Sequence, residues 1–167
     1  MAFVTTVIGS QTGAHNAYNI DFSVGAAKRN LPTDVQLVQV LFRLVHFELS
    51  KPVAPPPGET GIVVDGLFGP KTLRFILNWQ RQAKSDGIKV LLDGALDPFR
   101  KQNELSHVAH VRYALELLGI TCNNLCLDEG LDNFRNLPKR DDIPPALKGE
   151  LNLPIRSVAR QYQQPEF

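Results

Sequence analysis

The chain has 167 residues, 43% of them hydrophobic and 21% charged, with 18 basic against 17 acidic side chains and a formal net charge of +1. That length can bury one hydrophobic core and carry extensions. A near-neutral balance without a basic stripe gives no electrostatic case for nucleic acid, and no apolar run of about 20 residues is present to span a membrane.

In chain order, Phe3 to Ile8 is rich in β-branched residues, and Tyr18, Ile20, Phe22 and Val24 alternate with polar neighbours. Strict alternation predicts half-buried strands, so residues 1–33 are expected to hold a β-hairpin joined through GSQTGAHN, its apolar side on the rest of the chain. Asp34 is then placed to cap a helix carrying Val35, Leu37, Val38, Val40, Leu41, Phe42, Leu44 and Val45, apolar enough to be central. The prolines of KPVAPPPGET, from Lys51 to Thr60, favour an extended loop.

An internal repeat follows. VDGLFGPKT, from Val64 to Thr72, returns as LDGALDPFR, from Leu92 to Arg100, with Asp65 and Asp93 28 residues apart. Asp65-Gly66 and Asp93-Gly94 supply turns, because Gly accepts positive φ and Asp can bond nearby backbone N–H groups. Pro70 and Pro98 suit the first helical position, which makes Gly69 and Asp97 the N-caps. After the first copy, Leu73, Phe75, Ile76, Leu77 and Trp79 spread over a wide apolar helix face. The last helix is predicted near His107 to Leu118, with Gly119 as its C′ residue. From Thr121 onward, recurrent prolines predict a mostly irregular arm over the core, disordered at its end.

These residues resemble the peptidoglycan-binding domain appended to bacterial cell-wall hydrolases. Its pattern is a helix with VxxLQxxL, a VDGxFGPxT loop, a helix with FQ near its middle and a second VDGxxGPxT. The counterparts here are Val35 to Val45, Val64 to Thr72, Trp79-Gln80 and Leu91 to Phe99. The match covers roughly residues 34 to 119, and the second motif departs where Asp97 replaces Gly and Arg100 replaces Thr. The resemblance implies a mainly α fold, a three-helix core over 34–120 flanked by the hairpin (1–33) and the arm (121–167). It also implies a non-catalytic module that binds peptidoglycan, alone or with a separately encoded wall-active partner. The lead-in from Ser23 to Gln39 is similar to segments of peptidoglycan-binding modules in type VI secretion effectors, and the alternative it raises is an adaptor of a contractile secretion or phage-like apparatus that docks protein.

A glycan-peptide ligand needs stacking aromatics and hydrogen-bond donors. Candidate lining residues are Arg43, Phe68, Lys71, Arg74, Trp79 and Gln80, with the three cations meeting peptide carboxylates; Phe68 and Trp79 also suit the core. Asp65, Gly66, Gly69, Pro70, Asp93, Gly94, Asp97 and Pro98 are structural. No cofactor or metal is expected: Cys122 and Cys126 read as buried thiols or a short-loop bridge, His107 and His110 as a solvated helix pair, and His15 and His46 as loop or surface residues. Glu48, Glu104 and Glu116 are carboxylates of the right chemistry for a wall hydrolase, but no local pattern separates them from solvated helix charges. The start, MAFVTTVIGSQTG, lacks a secretory signal's basic end and long apolar run. The expectation is a protein made in the cytoplasm that reaches the wall through a signal-independent secretion system, unless a leader has been lost or the fold reused.

Overall fold

A segment apolar on nearly every face is stable as a helix only when surrounded. The computed structural model, which describes residues 1–9, 13–103, 105–106 and 109–157, meets that demand with helix α1, Pro32–Phe47, at the centre of the core. Asp34 does not cap it. Leu31 holds the cap position and Pro32 opens the first turn, where its fixed φ costs nothing. The Asp34 carboxylate lies buried inside that turn, accepting the Phe22 N–H at 3.1 Å and facing the Met1 ammonium at 3.2 Å.

Helix α2, Pro70–Ser85, starts as the first repeat copy predicts, with Gly69 as N-cap and Pro70 at the first helical position. Its apolar face carries Phe75, Ile76 and Trp79 into the core, and the Trp79 indole N–H donates to Ala114 O at 3.0 Å.

Both Asp-Gly turns form, and each is held by a buried glutamine from the helix before it. Gln39 of α1 donates through Nε2 to Asp65 Oδ1 (2.8 Å) and Leu67 O (3.2 Å), while its Oε1 accepts the Gly66 N–H (2.9 Å). Gln80 of α2 repeats the pattern, with Nε2 to Asp93 Oδ1 (3.0 Å) and Ala95 O (2.8 Å), and Oε1 from the Gly94 N–H (2.9 Å). Each aspartate also accepts the N–H two residues on, from Leu67 and Ala95. Gly66 and Gly94 sit at φ 76° and 69°, conformations that only glycine adopts without strain.

The second copy diverges beyond its turn. No helix begins at Pro98, and Asp97 caps nothing; its carboxylate accepts the Ser23 hydroxyl at 2.5 Å. Just before it the short strand β4 (Ala95–Leu96) pairs antiparallel with β3 (Val24–Gly25). The last predicted helix is displaced as well: α3 spans Ala114–Asp128, so Gly119 lies within it, and the chain turns at Gly130, φ 68°, where Leu131 N–H bonds Cys126 O as in a Schellman ending. Helix α3 thus crosses position 120, the expected boundary between helical unit and arm.

The hairpin exists with a different second strand. Strand β1, Phe3–Gly9, pairs with β2, Gly13–Asn19, in the register Val4↔Tyr18 and Val7↔His15. The alternating run from Tyr18 to Val24 is therefore not one strand: the chain leaves β2 at Asn19, and Val24 belongs to β3. The arm is less irregular than its prolines predict, carrying a 3-10 turn at Leu137–Lys139 and helix α4 at Pro145–Leu151. Leu147 and Leu151 join the core, and the Arg156 N–H bonds Val4 O on the outer edge of β1. The expectation of a disordered end falls on residues 158–167, outside the described ones. The result is an α-rich fold in which hairpin, helices and arm share one continuous apolar core.

The clamps are expected to be indispensable. Gln80→Ala and Gln39→Ala each orphan a buried glycine N–H and should lower unfolding free energy by about 2–3 kcal/mol in urea titration. Gly130→Ala, with open space around its Cβ, should cost about 1 kcal/mol; Gly66→Ala should cost more, because its Cβ meets Pro32 O at 3.0 Å.

Candidate functional site

The six predicted ligand residues do not converge. Gln80 is the second clamp, buried in the fold, and Trp79 is core, its one polar atom spent on α3. Phe68 is half-buried and packs on the core. Lys71 and Arg74 share a face of α2, but both reach Glu59 of the proline loop, the lysine at 3.0 Å and the guanidinium through Nε at 3.0 Å and through Nη2. Arg74 first and Lys71 second hold the Glu59 carboxyl below its ordinary range. Amide groups of Asn78 and Gln82 fix the same loop through Ala54 O. The expected cationic face is thus neutralised by the chain itself, although both side chains stay exposed.

Arg43 belongs to a separate network. It donates to Glu48 (2.9 Å) and Asp142 (2.6 Å), which Arg140 also engages at 2.8 and 2.6 Å. Four alternating charges fasten the arm to the end of α1. Arg43 and Glu48 are structural here.

The space that remains lies elsewhere. A cleft of about 680 Å³ opens between the inner face of the hairpin and helix α3. Antiparallel pairing puts Val7, His15 and Ala17 on one side of the hairpin, and these line one wall. The other wall is two adjacent i, i+4 rows of α3: Leu115, Gly119, Asn123 and Leu127, then Glu116, Ile120, Asn124 and Asp128. Tyr18 and Phe134 close the floor edge to face, centroids 5.0 Å apart, with the Tyr18 hydroxyl donating to Phe134 O at 2.7 Å. At the rim, Gln102 exchanges hydrogen bonds with both backbone groups of Ile8.

Glu116 is the unusual member. Its side chain is 3% exposed; Oε1 accepts the Asn103 N–H at 2.6 Å, while Oε2 has no hydrogen-bond partner and faces the Arg112 guanidinium at 3.6 Å. Burial pushes its carboxyl above the ordinary glutamate range, and Asn103 and Arg112 pull it part of the way back. Buried Asn123 offers its Oδ1 to Arg135 at 3.0 Å and keeps only a long contact, 3.4 Å, from Nδ2 to Asn124.

The other reactive side chains do not gather into a site. Cys122 and Cys126 are free buried thiols on α3, the first pushed well up by burial. Among the described residues no group of three or more His, Cys, Asp or Glu could hold a metal. His110 precedes α3 with φ 51°, so it is not the helical partner of His107, which with Glu104 lies outside the described residues. His46, expected at the surface, is buried: Nδ1 meets Val53 O at 2.9 Å and the ring stacks on Phe42. His15, expected to be a loop or surface residue, lies in β2 and lines the cleft.

Comparison with protein-family models, curated proteins and solved structures returns no match to this chain. No described helix is long and apolar enough to cross a membrane.

A raised carboxyl fixes the sign of a pH effect. The native state binds more protons than the unfolded one between the two Glu116 values, so stability falls as pH rises from the unfolded value to the folded one. Glu116→Gln removes that loss. Its stability relative to wild type is expected to be smallest at about pH 4 and to grow toward neutrality; denaturant titrations across that range check it, and a constant difference would contradict it.

Proposed function

We propose that this chain is a non-catalytic peptidoglycan-binding module, acting alone or with a separately encoded wall-active partner. The observation that carries the reading is the duplicated clamp. The family pattern places a glutamine in each of two helices and an Asp-Gly after each, and here those residues bond one another atom for atom. On this reading α1, α2 and α3 form the three-helix core, and the hairpin and arm are additions that build the cleft.

Geometry supports binding over turnover. Glycosidases need two carboxylates about 5–9.5 Å apart. The two acidic residues lining the cleft, Glu116 and Asp128, are 12 residues apart on one helix, an axial separation of about 18 Å.

A protein-docking role in a contractile secretion apparatus is the second reading. It is favoured by Val63 and Leu67, which flank the first Asp-Gly turn at 69% and 70% exposure.

Co-sedimentation with purified insoluble sacculi tests the first reading. Wild type is expected in the pellet, without release of soluble muropeptides. Lys71→Ala/Arg74→Ala should retain most of that binding, because both cations are already paired with Glu59. No sedimentation above an unrelated protein of similar charge would overturn the wall reading in favour of docking, and muropeptide release would overturn the non-catalytic part of it.

A further inference from the structure

We propose that the cleft between the hairpin and α3 is a sugar site, taking one or two pyranose units of a neutral glycan. This rests on the wall-polymer reading and names the part of the polymer that is recognised.

The cleft is built from regular elements on both sides, and its volume of about 680 Å³ falls in the range of small-ligand sites. Its deepest polar feature is Glu116. A buried carboxylate oxygen without a donor is costly, and Arg112 at 3.6 Å is too distant for a hydrogen bond. Oε2 is closed off from solvent and faces Arg112, so a ligand hydroxyl makes a short, charge-assisted bond to it when the side chain turns into the cleft.

Charge narrows the class. Arg112 already balances Glu116, and no Lys or Arg lines the cleft among the described residues; the cationic groups nearest an anionic ligand are the His15 ring and Arg135, which lies behind Asn123, so a phosphate or a stem-peptide carboxylate meets little direct counter-charge. A cation would find only exposed Asp128 at the far end of α3. A neutral ligand rich in hydroxyls fits best. The amides of Asn123 and Asn124 pair a donor with an acceptor, which suits adjacent hydroxyls or an N-acetyl group; their mutual 3.4 Å contact is weak enough to exchange. The buried Phe134 ring closes the apolar floor beneath Gly119. Gly119 leaves room above it: a Cβ there would touch Phe134 at 3.8 Å, an ordinary contact, so a larger side chain would fill the cleft rather than break the fold.

Calorimetric and amide-shift titration with tri-N-acetylchitotriose, beside a free stem pentapeptide, tests the proposal. Wild type is expected to bind the sugar, with shifts centred on Gly119, Asn123 and Asn124, and to ignore the peptide. Gly119→Leu and Asn124→Ala, checked for native circular dichroism and melting, should each weaken binding at least tenfold. If Gly119→Leu does not fold, Asn124→Ala at the exposed mouth and the shift map decide. Absence of sugar binding, undiminished binding in the folded variants, or shifts elsewhere would overturn the sugar site. Sacculus binding that survives both variants would overturn it and leave the wall reading standing, whereas chitotriose binding without sedimentation would uphold it and overturn the wall reading.

Discussion

Each Asp-Gly turn keeps its aspartate exposed but buries its glycine, whose backbone N–H points into an interior that offers it no water. Glutamine meets this need where its neighbours in chemistry would not. Its amide carries a donor pair and an acceptor on an arm long enough to reach from a helix to an adjoining turn; glutamate lacks the donors and asparagine the reach. Gln39 and Gln80 are 2% and 1% exposed, so losing either amide would leave several groups unpaired at once. Each clamp also joins elements. Gln39 ties α1 to the first turn and reaches the Thr72 hydroxyl in the opening turn of α2 at 3.3 Å; Gln80 ties α2 to the second turn and to β4.

From the second clamp the constraint passes to the cleft. Strand β4 pairs with β3, and the chain beyond it is held against the end of the hairpin by Asn19, whose amide donates to Phe99 O at 2.7 Å and whose Oδ1 accepts the Ile20 N–H at 2.9 Å. A few residues later Gln102 seizes the Ile8 backbone. One end of the cleft is thereby closed by the segment leaving the repeat, and the other by Tyr18 on the Phe134 carbonyl. A two-stranded hairpin is marginal alone; here its strands are pinned at Asn19, Ile8, Tyr18 and Val4 by three parts of the chain: the segment from Phe99 to Gln102, Phe134 and Arg156.

The elements with strong local signals were legible: the central helix from its dense apolar positions, α2 from the Gly69-Pro70 start, both Asp-Gly turns from their dipeptides. Where two local signals competed, the reading failed. Pro98 is a good helix opener, yet the residues after Ala95 are engaged in pairing with β3 and in packing Phe99, and tertiary contacts override such a preference. Gly119 looked like a helix end because glycine usually is one, but α3 continues on Leu125 and Cys126 to the stronger stop at Gly130. The clamps were half visible: the two glutamines stood in the motif, but one was assigned to a ligand because nothing in a linear sequence says which way an amide points. The cleft was invisible, since its walls come from segments about 100 residues apart. The signal that could have found it is the pair of rows at 115, 119, 123, 127 and 116, 120, 124, 128, which put Glu116 and Asn123 on the inward side of an otherwise apolar helix.

The contrast between expected and observed sites follows from how charge behaves in a nearly neutral chain. Cations near a motif attract attention because they can bind anions, yet with 18 basic and 17 acidic side chains the commonest partner of a cation is another part of the same molecule. Glu59 answers Lys71 and Arg74, and Glu48 and Asp142 answer Arg43 and Arg140. Exposed pairs of this kind contribute little to stability, but they remove the unbalanced field that long-range capture of an ionic ligand requires. The proposed sugar site depends instead on groups without net charge: the amides of Asn123 and Asn124, and a Glu116 carboxylate balanced by Arg112, in a cleft between the hairpin and α3.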